Sequence, residues 1–291
     1  MNAAILWRAT RAFSLPASVV PVLLGTVLAA RGYGQDGAGR FDLVTFLLAL
    51  FGAMLAHIGA NVLNDYFDFA RGVDTRPEHG SGVLTRGEMT SGQVAKFALV
   101  LFSGAALCGL FLLRAHLLVV LPLALIGFGS AVLYPSYLKR FGLGDVLIVI
   151  AFGLGITLGA YGVQVDDWSW TSVLWIALCS LPICLLVDAI LHANNLRDAE
   201  DDRGARVRTL ATVLSPGAAR GLQRILLFGP LVFVVAGVAV RFLPLWSLAT
   251  FAALPLLLRA NRTGSVEGTA QTHLVFGVLY TTAFLFRPVF L

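Results

Sequence analysis

Apolar runs of roughly 20 residues recur along the whole chain, and each is long enough to carry a helix across the hydrocarbon core of a bilayer. Nine such runs lie near residues 13–30, 41–63, 95–113, 116–134, 145–164, 171–193, 223–241, 243–259 and 271–289. The eighth, LPLWSLATFAALPLLLR, is short and contains proline, so eight spans stand as the alternative count. Only 13% of the residues are charged, against about 25% in a typical soluble domain. With a mean hydropathy of +0.83, the chain is expected to be a polytopic membrane protein, all-α, with about nine transmembrane helices.

The first span, within MNAAILWRATRAFSLPASVV, is too long for a secretory h-region and lacks a small-residue cleavage site, so it is expected to be retained. Cys108, Cys179 and Cys184 fall inside apolar runs and read as small buried hydrophobes. Basic residues set the orientation. With the N-terminus inside, fifteen of the 21 basic residues fall on inner segments and five on outer ones, with Lys96 at the start of the third span. By the positive-inside rule the N-terminus is cytoplasmic. The net charge of +5 belongs to that orientation and makes no case for nucleic-acid binding.

Two stretches break the apolar pattern. NVLNDYFDFARGVD at 61–74 and NNLRDAEDDRGARVRTLA at 194–211 follow the second and sixth spans. An even offset of four helices places both on the same, cytoplasmic, side. Their continuations are alike, with Thr90 or Ser91 able to cap one following helix and Ser215–Pro216 the other. This is a weak parallel repeat, its motif-bearing ends near 61–95 and 194–220.

Asn61, then Asn64 or Asp65, then Asp68 share one helix face. Asn194 or Asn195, Asp198, and Asp201 or Asp202 repeat the pattern. Two carboxylates about 4 Å apart repel by about 4 kcal/mol at an effective dielectric of 20, so facing clusters of this kind need a cation between them. Amide and carboxylate oxygens are hard ligands, suited to Mg²⁺ or Ca²⁺. Mg²⁺ commonly shares its coordination with phosphate oxygens, which points to a diphosphate substrate. Arg71, Arg76, Arg197, Arg203, Arg206 and Arg208 lie among the acids and suit such an anion, although simple positive-inside charges are the competing reading.

The segments NDYFD at 64–68 with Asp74 beyond, and NNLRDAEDD at 194–202, resemble the two aspartate-rich motifs of the UbiA superfamily of membrane prenyltransferases. Their order, their separation of roughly 130 residues and the multi-span frame extend the likeness over nearly the whole chain. TRAFSLPASVVPVLLG, GVLTRGEMT, LYPSYLKRFGLGD and AILHANNLRDAEDDRGARVRTLA are closest to the 1,4-dihydroxy-2-naphthoate prenyltransferase branch. The resemblance implies a nine-helix bundle around a central cavity open to the cytoplasmic side, forming one domain over residues 1–291.

It further implies that a polyprenyl diphosphate binds there with Mg²⁺, ionises, and alkylates an aromatic acceptor, here 1,4-dihydroxy-2-naphthoate with loss of its carboxylate. Asn64, Asp68 and Asp74 would serve one metal, and Asn195, Asp198 and Asp202 the other. Lys139, Arg71 and Arg208 would hold the diphosphate. Other acceptors, such as 4-hydroxybenzoate or homogentisate, are the near alternative. A cation-coupled transporter is the distant one, and it would place its acids near the bilayer midplane.

An allylic cation needs water excluded and aromatic faces nearby; Phe67, Tyr134 and Tyr161 are candidates. Asp188, inside the sixth span, is i−4 from His192 and on the second motif's face. It either orients His192 or deprotonates an acceptor, or it makes a structural hydrogen bond. His57 holds the corresponding place on the second span. Arg11, just before the first span, either meets an acceptor carboxylate or anchors the chain at the membrane.

Overall fold

The computed structural model describes residues 2–34, 39–73, 76–77, 80–136, 142–166, 169–205 and 207–286, with the backbone alone at 115 and 134–136. The described residues are helical, without strands. The order is α1 (Ala3–Thr10), a 3₁₀ turn (Ala12–Ser14), α2 (Pro16–Ala30), α3 (Leu43–Ala70), α4 (Ser91–Ser136) and α5 (Gly144–Ile148). A π-helix (Val149–Gly155) joins α5 to α6 (Ile156–Gly162), followed by α7 (Trp170–Gly204), α8 (Leu210–Val213) and α9 (Pro216–Ala239). A 3₁₀ stretch (Leu245–Ala253), α10 (Leu254–Thr263) and α11 (Val266–Ala283) complete it.

Six helical segments among the described residues are long and apolar enough to cross a membrane: α3, the two halves of α4, the rod from Gly144 to Gly162, α7 and α9. A seventh appears if Ala3–Ser14 and Pro16–Ala30, bent by 54°, form one span. The last two expected spans fall below that standard. The proline-bearing stretch at 243–259 folds as 3₁₀ followed by α10, and α11 carries Glu267, Gln271 and His273 among its apolar residues. α4 divides where His116 leaves helical geometry (φ −133°, ψ 45°), which separates the expected third and fourth spans.

Side-chain chemistry sets the helix ends. Asp42 Oδ1 accepts from the Thr45 amide at 2.7 Å to start α3. Thr90 and Gln93 exchange hydrogen bonds at the start of α4, and Ser215 Oγ accepts from Ala218 N with Pro216 at the first turn of α9. α3 has 28 residues and α7 has 35, so at 1.5 Å per residue they run about 42 and 52 Å. A hydrocarbon core is only about 30 Å thick. Both helices therefore overshoot it, and the overshooting turns carry Asn61–Asp68 and Asn194–Asp202.

The main core gathers Leu24, Leu28, Tyr161, Ile176, Ile183, Leu186, Leu227 and Phe276, from α2, α6, α7, α9 and α11. A second, smaller cluster sits at the acidic end, where Ala9 of α1 packs on Val62, Val83, Leu84 and Met89. Arg8 pins it through Glu88 at 2.8 Å, and this hydrogen bond holds the Glu88 carboxyl below the usual carboxylate range. Large apolar side chains such as Val44, Leu99, Leu118 and Val232 point outward, as the lipid face of a membrane bundle requires.

α2 and α6 touch backbone to backbone at Gly25, where a Cβ would stand 2.2 Å from the Thr157 carbonyl oxygen. Gly25→Val is expected to force these helices apart and to cost about 1–3 kcal/mol or more. The thermal midpoint of the detergent-purified protein measures it; an unchanged midpoint would contradict this packing.

Candidate active site

The overshooting ends of α3 and α7 converge on a cavity of about 190 Å³. Asn61, Asn64 and Asp68 from α3 and Asn194, Asn195, Asp198, Asp201 and Asp202 from α7 line it. Arg11 and Ser14 close one side, and Gly144, Leu147 and Ile148 another. Two segments that are roughly 130 residues apart in sequence thus meet at one place.

Within each motif the one-turn spacing produces contact. Asn64 Nδ2 donates to Asp68 Oδ2 at 2.8 Å, and Asn194 Nδ2 donates to Asp198 Oδ2 at 3.2 Å. Arg197 forks onto both Asp198 oxygens at 2.7 Å and also reaches Asn194 Oδ1. Arg76 pairs with Asp201 at 2.8 Å. Asn195 is buried, with its amide nitrogen unpartnered.

Arg11 ties the two motifs together. Its residue takes a left-handed conformation (φ 50°, ψ 47°) between α1 and the 3₁₀ turn, which turns the side chain inward. Nη1 donates to Asp65 Oδ1 at 3.4 Å and Nη2 to Asn194 Oδ1 at 3.3 Å. Asp65 accepts a further bond from the Ser81 amide at 3.0 Å. The Arg11 side chain is only 12% exposed and forms part of the cavity wall.

A second cavity of about 540 Å³ adjoins the first and is almost wholly apolar. α3, both halves of α4, the π-helix and α6 line it, with Leu48, Gly52, Phe102, Leu112, Leu123, Phe128 and Ile156 among its walls. His57, Ala60, Ala131, Ala151 and Phe152 belong to both cavities, so the acidic chamber and the apolar one share a wall.

Other expected residues fall elsewhere. Arg71 is exposed and its guanidinium stacks on Phe67, 5.3 Å from the ring centre. Arg208 is exposed on the segment before α8. Neither lines the cavity. Asp188 and His192 do not line it either; they pack behind it, between α7 and its neighbours. His192 Nε2 donates to the Ala219 carbonyl at 2.9 Å, and Nδ1 lies 3.5 Å from Asp145 of α5. Burial on α7's inner side, invisible in linear spacing, draws these groups into the helix packing. Tyr161 is fully buried, its hydroxyl donating to the Tyr33 carbonyl, and Phe67 lines neither cavity. Asp74, Lys139, Arg206 and the Tyr134 side chain lie outside the described residues.

Sequence reasoning missed Ser14 as a wall of the acidic cavity, Asp145 behind it, and Phe152. Asp145 carried a usable signal, since it is an acid at the start of an apolar run. Phe152 carried none among twenty phenylalanines.

Among the described residues no three His, Cys, Asp or Glu side chains converge as a complete cage. Amide–carboxylate pairs one turn apart, with four acids against one arginine among the described residues of the cavity wall, are the hard and anionic donors that Mg²⁺ accepts when phosphate oxygens and water complete its shell. The residues present fit the ion. A rotated Asn64 amide would present oxygen in place of nitrogen.

A bundle of membrane helices that sets an acid-lined chamber against an apolar one has room for a polar head and a hydrocarbon tail side by side. That is the architecture of a membrane enzyme acting on a lipid-like substrate. Residues 18–284 match the UbiA prenyltransferase family, and the chain belongs to it.

The UbiA prenyltransferase domain-containing protein 1 homolog of Drosophila melanogaster is 35% identical over 94% of this chain and 77% of its own length. The 1,4-dihydroxy-2-naphthoate octaprenyltransferase of Bacillus subtilis (strain 168) is 30% identical over 97% and 92%. Among solved structures, a UbiA homolog from Archaeoglobus fulgidus bound to DMAPP and Mg²⁺ shares the fold. Its TM-score is 0.60 at 13% identity, covering 96% of this chain and 98% of that one. The apo UbiA homolog from Aeropyrum pernix K1 gives 0.63 at 17% identity, over 96% and 97%.

Proposed function

We propose that this prenyltransferase moves a polyprenyl group from its diphosphate to 1,4-dihydroxy-2-naphthoate, with Mg²⁺, in the formation of a menaquinone precursor. One observation carries the reading: the acidic cavity and the apolar chamber share a wall, so one molecule can place a diphosphate among the acids and its tail in the chamber. A Bacillus subtilis relative named for this acceptor supports the choice of ring. The whole chain, residues 1–291, acts as one domain in the inner membrane, with the acidic helix ends on the cytoplasmic side.

Asn64 and Asp68 on α3, with Asp74, hold one metal; Asn195, Asp198 and Asp202 on α7 hold the other. Bound Mg²⁺ supplies charge that stabilises the departing diphosphate. Arg11 in the cavity wall, with Lys139, offers guanidinium and ammonium donors to anionic oxygens. Asn61 and Asn194 orient the head group by hydrogen bonds. The C–O bond breaks with its electron pair going to the diphosphate oxygen. The ring carbon attacks the allylic carbon, and the ring carboxylate then leaves as CO₂, its bonding pair restoring the aromatic system. Apolar walls exclude the water that would otherwise capture the allylic group.

Purified protein in detergent, given Mg²⁺, geranylgeranyl diphosphate and 1,4-dihydroxy-2-naphthoate, is expected to yield a prenylated, decarboxylated naphthoquinol by mass spectrometry. EDTA should abolish the product, and excess Mg²⁺ should restore it. Turnover only with 4-hydroxybenzoate or homogentisate would overturn the acceptor while leaving prenyl transfer in place.

A further inference from the structure

A prenyl diphosphate seated as proposed must put its reacting carbon where the two cavities meet, since that carbon joins head to tail. Five residues line both cavities there: His57, Ala60, Ala131, Ala151 and Phe152. Three are alanines, which leave room and bring no chemistry. His57 is committed elsewhere. Ser14 Oγ donates to the Arg11 carbonyl at 2.9 Å, so it accepts from His57 Nε2–H at 3.3 Å. Nδ1 is then the acceptor from Ser18 Oγ–H at 2.8 Å. Both ring nitrogens are occupied in the neutral imidazole. Among the described residues, the junction's remaining functional surface is the Phe152 ring.

The chain goes to some length to hold that ring. Phe152 lies within the π-helix Val149–Gly155, a geometry that is rare in proteins and recurs at functional sites. The neighbouring Gly153 presses on α7, where a Cβ would stand 2.5 Å from Cys184 Sγ and 3.0 Å from its Cα. The carbonyl of Gly153 receives Thr157 Oγ1 at 2.7 Å. His57 then sits T-shaped on the Phe152 ring at 4.8 Å and 80°. The ring is half-buried, packed against the main core and open to both cavities.

We propose that Phe152 is the aromatic surface against which positive charge develops on the allylic group as its C–O bond breaks, with His57 as the residue that positions it. The proposal rests on the prenyl-transfer reading above. The step itself is balanced: the C–O pair leaves with the diphosphate, and an electron-rich aromatic acceptor supplies the pair that forms the new C–C bond. The negative face of the Phe152 ring attracts the intervening cationic carbon, and desolvation in the apolar junction strengthens that attraction.

The test replaces Phe152 with mono-, di- and trifluorophenylalanine, which keep the ring's shape while withdrawing electron density from its face. Single-turnover rates of the detergent-purified enzyme with geranylgeranyl diphosphate and its aromatic acceptor should fall stepwise, reaching roughly 30-fold at the trifluoro ring. That fold-change is about 2 kcal/mol at 1.36 kcal/mol per factor of ten. Affinity for the diphosphate should stay within about twofold of wild type across the series, because the charge exists only as the bond breaks. A flat rate across the series, or an equal loss in affinity, would overturn the role of Phe152 while wild-type turnover upheld prenyl transfer. Failure of the wild-type protein to turn over any aromatic acceptor would overturn both. His57→Gln should lower the rate and flatten the fluorine dependence; an unchanged dependence would remove His57 as the positioning residue.

Discussion

Replacing Asp68 or Asp198 with alanine is expected to lower prenyl transfer by roughly 10³-fold or more, without unfolding the protein. Each acid belongs to a different helix, and each is joined to an asparagine one turn away. Losing either removes one of the paired oxygen donors at a site whose described side chains alone do not form a complete metal cage. Asp198 is bound by Arg197 on both oxygens, so its removal also breaks that ion pair. Raising Mg²⁺ should rescue neither variant beyond a small fraction of wild type. Rates with the prenyl diphosphate and acceptor, set against the thermal midpoint of the same sample, decide the matter. Wild-type rates in either variant would sink the two-cluster arrangement.

Arg11→Ala is expected to cost both stability and activity. The guanidinium is 12% exposed and Asp65 6%. Removing one partner of a buried pair commonly costs about 3–5 kcal/mol, because the other charge is left without compensation. Here the same substitution also cuts the link from Asp65 on α3 to Asn194 on α7, so the two motif ends lose their shared tie. Asp65→Asn in the Arg11→Ala background should recover part of the thermal midpoint, since the amide removes the stranded charge and still accepts from Ser81. Transfer should remain low, because the bridge is not rebuilt. Strictly additive losses in the double variant would show that Arg11 and Asp65 do not interact energetically.

Much of the site was legible from spacing. Asn64 with Asp68, and Asn194 with Asp198, touch as residues one helical turn apart should, and the recurrence of the pattern at the same phase of two spans foretold that they meet. Period and position suffice there because both acidic runs lie on helices too long for the hydrocarbon core. Arg71 and Arg208 were less legible. A basic residue near an acidic motif reads the same whether it faces the cavity or, as Arg71 does, stacks on an aromatic ring outside it. Asp188 and His192 share the motif's helix face only on a projection. Which part of that face opens to the cavity depends on where α5 and α9 press against it, as the His192 contacts to Asp145 and Ala219 show.

The sequence by itself determined the membrane bundle and the two acidic helix ends. Apolar length and carboxylate spacing are local quantities, set by bilayer thickness and the helical repeat. Tertiary structure alone decided that Arg11 crosses from α1 to both motifs, and that the acidic cavity shares a wall with an apolar chamber. It also decided that, among the described residues, one phenylalanine stands at the junction. These depend on a left-handed residue, a π-helical turn and the close approach of Gly153 to Cys184, and each of them is fixed by packing between segments far apart in the chain.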